Sequence, residues 1–158
     1  MAPVTSVRTS LVDVYVLRGS GPELECLALR RGPGGRCPGS WESVHGHIEP
    51  AEQPAGAAAR ELEEETGLIP LRLYNLSRVE LFYQHRVDEV ALVPVFAAFV
   101  AADARVRLGS EHDGFEWLSP DAARLRFAWP RERRALDDIV TLLESGNAGA
   151  VDDVLRVC

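Results

Sequence analysis

Three glutamates, Glu61, Glu64 and Glu65, stand at i, i+3 and i+4 in the run Arg-Glu-Leu-Glu-Glu-Glu-Thr-Gly. On a helix this spacing turns their carboxylates to one side. The helix is predicted over Ala55–Leu62, because Ala and Leu are strong helix formers. Ala55, Ala58, Ala59 and Leu62 make one apolar stripe of mostly small side chains, which lets the helix lie close to its support. Pro54 suits a first helical turn, and Gly67 suits a left-handed stop. Like charges at these spacings repel, and the macrodipole disfavours anions in the C-terminal half of a helix. A divalent cation reverses that penalty, since hard cations want several oxygen ligands. A solvated, Glu-rich helix face is the alternative reading.

The longer pattern is more specific. It runs Gly46, Glu52, Arg60-Glu61-Leu62, Glu64-Glu65 and Gly67-Leu68, with nine fixed or class-restricted positions in 23 contiguous residues. This resembles the signature box of the Nudix hydrolases at every specified position. The resemblance implies a loop–helix–loop that holds Mg²⁺ or Mn²⁺ and cleaves a diphosphate linkage. It implies Glu61, Glu64 and Glu65 as metal ligands, with Glu61 a candidate general base. It pairs Arg60 with Glu52 as the groups that orient the carboxylates, and adds the backbone carbonyl of His45 as a further ligand. The side chains of His45 and His47 are not needed as ligands, because hard ions prefer oxygen.

Other residues invite chemistry less specifically. Arg30, Arg31 and Arg36 lie in a Gly- and Pro-rich loop just before the box. Guanidinium groups match phosphate oxygens bidentately, so phosphate recognition competes with a reading as loop surface charge. The Glu111-His112-Asp113 cluster reads as a turn, or as a second acidic site. Glu-His before an aromatic-Glu-Trp strand resembles bacterial pyrophosphohydrolases acting on dATP and dihydroneopterin triphosphate. That resemblance makes Glu111 an auxiliary base or ligand. Phe82, Tyr83, Phe115 and Trp129 are stacking candidates, and core packing is the alternative for each. Arg131, Arg133 and Arg134 read as a solvated helix face, with Arg131 also able to reach a substrate.

Elements must position these groups. Leu11–Leu17 alternates as a buried strand, and Leu24–Arg30 pairs with it as a hairpin. Trp41–His45 is a short strand leading into the box, with Trp41 over the sheet. Leu71–Tyr83 reads as one twisted strand or two, and Val90–Val100 as a buried strand whose Pro94 marks an edge or a bulge. Val106–Leu108 is a short extended piece before the strand Phe115–Leu118. Ser119 or Asp121 caps a short helix. Pro130–Glu144 is the last long helix, with Leu136, Ile139, Val140 and Leu143 as its stripe.

The expected fold is α/β: an α/β/α sandwich with a mixed β-sheet, which is also the fold the resemblance implies. Its division is a leader over 1–10, a Nudix hydrolase domain over 11–145 and a C-terminal tail over 146–158, docked or frayed. The chain has 158 residues, a net charge of −7 and 46% hydrophobic residues, enough for one domain with a real core. The negative charge argues against a nucleic-acid polymer as partner. No apolar run reaches a membrane span, and the first residues lack a signal-peptide order. Cys26, Cys37 and Cys158 give no metal spacing and no disulfide framework, which fits a cytoplasmic location. Cys26 is expected in the core and Cys158 at a mobile end.

The expected substrate is nucleoside triphosphate-like: dATP, a related triphosphate or dihydroneopterin triphosphate, with release of pyrophosphate. ADP-ribose, a nucleotide sugar or a dinucleoside polyphosphate is the alternative. A Nudix module that senses a nucleotide without hydrolysing it is a second alternative, opposed by the complete set of box glutamates. Dimers are common in the family, so a homodimer is a candidate assembly.

Overall fold

The computed structural model describes residues 4–158. Among them, eight strands form one mixed sheet: β1 (Ser6–Arg8), β2 (Leu11–Arg18), β3 (Glu25–Arg31), β4 (Trp41–Glu42), β5 (Val44–His47), β6 (Arg72–Gln84), β7 (Glu89–Phe99) and β8 (His112–Leu118). The helices are α1 (Pro54–Thr66), α2 (Pro120–Arg126), α3 (Pro130–Leu143) and α4 (Asp152–Leu155). β1 and β2 both run parallel to β7, and the remaining pairs are antiparallel.

Alternation along β2 and β3 builds both layers. Val12, Val14, Val16, Leu27 and Leu29 pack with Ala57, Ala58 and Leu62 of α1. Tyr15, Leu17, Cys26 and Ala28 pack with Phe127 and with Leu136, Ile139 and Leu143 of α3. Successive strand side chains point to opposite faces, so each strand feeds both cores and the expected α/β/α sandwich results.

β2 forks the sheet. Its first half pairs β5, from Leu11↔His47 to Val14↔Val44, while its end pairs β3 at Leu17↔Cys26. This places the approach to α1 directly over β2. α1 begins with Pro54 and ends at Gly67, whose φ is 69°. Its buried residues are Ala57, Ala58, Leu62, Glu65 and Thr66, whereas Ala55 and Ala59 are only half-buried. The stripe is therefore rotated from the expected one, and Glu65 faces inward.

Several expectations change. Val106–Leu108 is not a strand. Instead the Arg107 N–H donates to Thr66 O at 2.7 Å and the Gly109 N–H to Glu65 O at 2.9 Å, satisfying the open carbonyls at the end of α1. Pro94 is not on an edge, because β7 has neighbours on both sides. It faces the β6 irregularity between Asn75 and Val79, and falls between the segments of β7 that pair β1 and β2. The missing proline N–H therefore costs no ladder bond there. β6 is a single strand through Gln84.

Residues 6–8, in the span read as a leader, form β1. The end of the chain docks: Tyr74 donates to Asp152 at 2.6 Å, the Val157 N–H donates to Leu73 O at 2.8 Å, and Leu155 is buried. These backbone bonds pin the segment expected to be mobile at Cys158, whose thiol is exposed and free; Cys26 lies in the core as expected. Among the described residues, no helix is long and apolar enough to cross a membrane.

Leu62 is fully buried between α1 and the sheet. Leu62→Ala should cost about 2–5 kcal/mol, read as a fall in the urea midpoint without a change in slope. An unchanged midpoint would show that α1 is not seated as described.

Candidate active site

Gly46 lies next to the end of β5, directly beneath α1. A Cβ there would meet the Glu61 Cδ at 2.0 Å and Cγ at 2.4 Å. The missing side chain is thus what lets Glu61 lie against the strand. Arg60 ties the rest together. Its Nε and Nη2 each donate to one oxygen of Glu52 at 2.9 Å, and Nη2 also donates to His47 O at 2.8 Å. Nη1 donates to Glu61 at 2.9 Å and to Glu64 at 3.2 Å. Glu52 in turn accepts the Glu49 N–H at 2.9 Å. The Arg60 hydrogen bonds, then that N–H, hold the Glu52 carboxyl down at about 2.

Glu65 has a different setting. It is 7% exposed, and its Oε2 is buried without a hydrogen-bond partner. Burial first, then the charges of Glu61, Glu42 and Glu111, push its carboxyl up to about 9. Beside it stand Glu42 and His112, with His112 Nε2 3.0 Å from Glu42 Oε1. Arg31 Nη1 donates to Glu42 at 3.0 Å and lies 3.7 Å from Glu111, while its Nε donates to Arg36 O at 2.6 Å. Arg31 therefore joins the acidic cluster. Arg36 itself is exposed, and Arg30 pairs with Asp113 at 2.7 Å.

A second polar cluster lies across the sheet. Asp13 is fully buried, 2.6 Å from His45 Nδ1, and Arg131 Nε donates to it at 2.9 Å. Burial alone would raise Asp13, but His45 and then Arg131 hold it below its ordinary value. The His45 side chain is thus committed to Asp13, and Arg131 is not a solvated residue. Glu132 is also fully buried and accepts the Ser43 N–H at 2.6 Å, where the chain crosses from β4 to β5. Burial pushes the Glu132 carboxyl up to about 7.

The aromatic candidates are scattered. Trp129, 39% exposed, lies 5.7 Å from the Arg131 guanidinium, which also lies 5.5 Å from Phe82. Tyr83 donates to Asp88 at the far end of the β6–β7 hairpin, and Phe115 is exposed on β8. The structure therefore brings together Glu52, Arg60, Glu61 and Glu64, and beside them Glu65, Glu111 and Arg31. It keeps Arg30, Arg36 and Tyr83 apart from that group.

Sequence reasoning did not single out Asp13, Glu42 or Glu132, and named His112 only within the Glu111-His112-Asp113 cluster. Asp13 carried a signal, since one acid inside the apolar run Leu-Val-Asp-Val-Tyr-Val needs a buried counter-charge. Glu132 carried none, being one charge among several on a first helical turn.

Among the described residues, no three His, Cys, Asp or Glu side chains are already gathered as metal ligands. The chemistry of the cluster nonetheless fits a hard divalent cation: crowded carboxylates, one with a buried and unpartnered oxygen, and too few positive groups to balance them.

Residues 7–139 match the NUDIX domain family, and the protein belongs to this family. Over 131 residues, 77% of this chain, it is 44% identical to an octanoyltransferase of Myxococcus xanthus, covering 34% of that protein. Over 85 residues, 52% of this chain, it is 34% identical to the asymmetrical bis(5'-nucleosyl)-tetraphosphatase of Rattus norvegicus, covering 58% of it. The chain thus spans less than two thirds of either curated relative. The dihydroneopterin triphosphate pyrophosphohydrolase of E. coli shares the fold, with a TM-score of 0.65 and 23% identity over 82% of this chain and 94% of that one. Nudix hydrolases generally use a divalent metal and act on small nucleotide substrates.

Two outcomes follow from this geometry. Gly46→Ala must displace Glu61, and a carboxylate moved by about 1 Å should lower kcat by about a hundredfold. Its thermal midpoint should stay near that of wild type, and full activity would refute the close approach. Glu132 binds its proton more tightly folded, near 7, than at its ordinary 4.5, so the fold loses stability as pH rises through that window. Glu132→Gln should remove this loss, so its stability advantage over wild type should widen between those pH values. A constant gap would contradict the buried placement.

Proposed function

We propose that this Nudix hydrolase cleaves a phosphoanhydride in a nucleoside triphosphate-like substrate, dATP, a related triphosphate or dihydroneopterin triphosphate, releasing pyrophosphate. The observation that carries this reading is the carboxylate cluster on α1, closed against Gly46 and held by Arg60. Glu61, Glu64 and Glu65 would hold Mg²⁺ or Mn²⁺, with the His45 carbonyl as a further oxygen. When bound, the cation neutralises phosphate charge and makes water more acidic.

The chain's own groups do the rest. Glu52 and Arg60 fix the direction of Glu61 and Glu64 through one forked guanidinium. Glu61 or Glu111 takes the proton from the attacking water. Glu111 stands beside Glu65 in the loop before β8, so both candidates border one space. Arg31 offsets the negative charge of Glu42 and Glu111, while Arg30 and Arg36 lie farther out for the outer phosphates. Trp129, linked through Arg131 and Asp13 to His45, is the aromatic candidate assigned to stack on the base or pterin. Tyr83 is poorly placed for that role.

Similarity to the rat tetraphosphatase favours a second reading, in which the substrate is a dinucleoside polyphosphate. A Mg²⁺-dependent screen of dATP, other nucleoside triphosphates, dihydroneopterin triphosphate, ADP-ribose, nucleotide sugars and dinucleoside polyphosphates separates the two. Pyrophosphate release from a triphosphate, abolished by Glu64→Gln, is the expected result. Preferred cleavage of a dinucleoside polyphosphate would establish the second reading. Nucleotide binding without turnover under any metal would overturn both.

A further inference from the structure

His112 is 5% exposed and stands between two carboxylates. On one side its Nε2 is 3.0 Å from Glu42 Oε1, and Glu42 is anchored by Arg31 at 3.0 Å. On the other side its Nδ1 is 4.0 Å from Glu65 Oε2. Both of these facing atoms are buried, and neither has any hydrogen-bond partner. Two buried polar atoms left open are costly, and each here is the other's nearest remedy.

The backbone is shaped to produce this meeting. Trp117 packs on the α1 side of the sheet and Leu118 on the α3 side. Strict alternation along β8 would carry His112 to the α3 side with Leu118. A register shift between Arg30 and Arg31 breaks that alternation and sets His112 opposite Arg31. Bulges of this kind re-aim side chains near functional sites. The Gly32 N–H donates to Glu111 O at 2.9 Å and holds the strand start there.

We propose that His112 is a positioning residue whose Nδ1 reaches Glu65 and so fixes the direction in which Glu65 presents its carboxylate, while Nε2 rests the ring on Glu42. The bridge runs Arg31–Glu42–His112–Glu65, from β3 to α1, and acts through Glu65 without touching substrate. A small rotation of Glu65 closes the 4.0 Å gap to a hydrogen bond. This inference rests on the reading of Glu65 as a cation ligand. Residues that orient ligands from behind typically contribute about 10- to 100-fold in metal affinity.

Two substitutions separate the two arms of the imidazole. Glutamine places its amide near the Nε2 position and keeps the reach to Glu42. Asparagine places its amide near Nδ1 and keeps the reach to Glu65. Mn²⁺ affinity is measured by calorimetry on the substrate-free protein, with thermal midpoints alongside. The expected result is an affinity lowered about tenfold in His112→Gln and largely restored in His112→Asn, with both proteins folded. Equal affinity in wild type and His112→Gln would overturn the proposal. Equal loss in both variants would also overturn it, because it would mark His112 as packing alone. A wild-type protein that binds no Mn²⁺ would instead overturn the functional reading beneath it.

Discussion

One guanidinium holds the candidate site in register. Arg60 spends its donors on Glu52, Glu61, Glu64 and the His47 carbonyl, and so ties the loop before α1 to the helix that follows. The arrangement works only because Gly46 carries no Cβ and α1 lies close over β5. Small alanines at Ala57 and Ala58 set that distance. Backbone, packing and charge converge there, and none of the three is sufficient alone.

Charge is also organised on each side of the sheet. Asp13 is matched by His45 and Arg131 on the α3 side, and Glu42 by Arg31 and His112 on the α1 side. Buried charges need excellent partners, and a bare one would cost several kcal/mol (order of magnitude). The partners come from β2, β5 and α3 in one cluster, and from β3, β4 and β8 in the other. The first cluster therefore fixes strands to the layer that covers them, and the second ties three strands of the sheet to one another. Glu65 is the exception, with more negative than positive neighbours. Its imbalance is the strongest physical argument for a cation.

Much of this was legible in the sequence. The box residues, the Pro54 start and the Gly67 stop of α1 follow from local rules, since caps and spacing are properties of a few adjacent residues. Alternation in Leu11–Leu17 assigned both faces of β2 correctly. The inward turn of Glu65 was not legible, because it depends on how α1 rolls against a sheet assembled from distant strands. The burial of Arg131 and Glu132 depends likewise on the fork between β4 and β5, more than 80 residues earlier. Pro94 carried a true signal of irregularity, but its place between two parallel neighbours is a matter of topology. Val106–Leu108 reads as extended by composition, yet the N–H groups of Arg107 and the following Gly109 are claimed by the end of α1.

The central claim is that the α1 carboxylates form a cation site. Anomalous diffraction from crystals soaked in Mn²⁺ tests it most directly. The account predicts a peak among Glu61, Glu64 and Glu65, near the His45 carbonyl and absent from Glu64→Gln crystals. A peak confined to another surface, or none at saturating Mn²⁺, would contradict it.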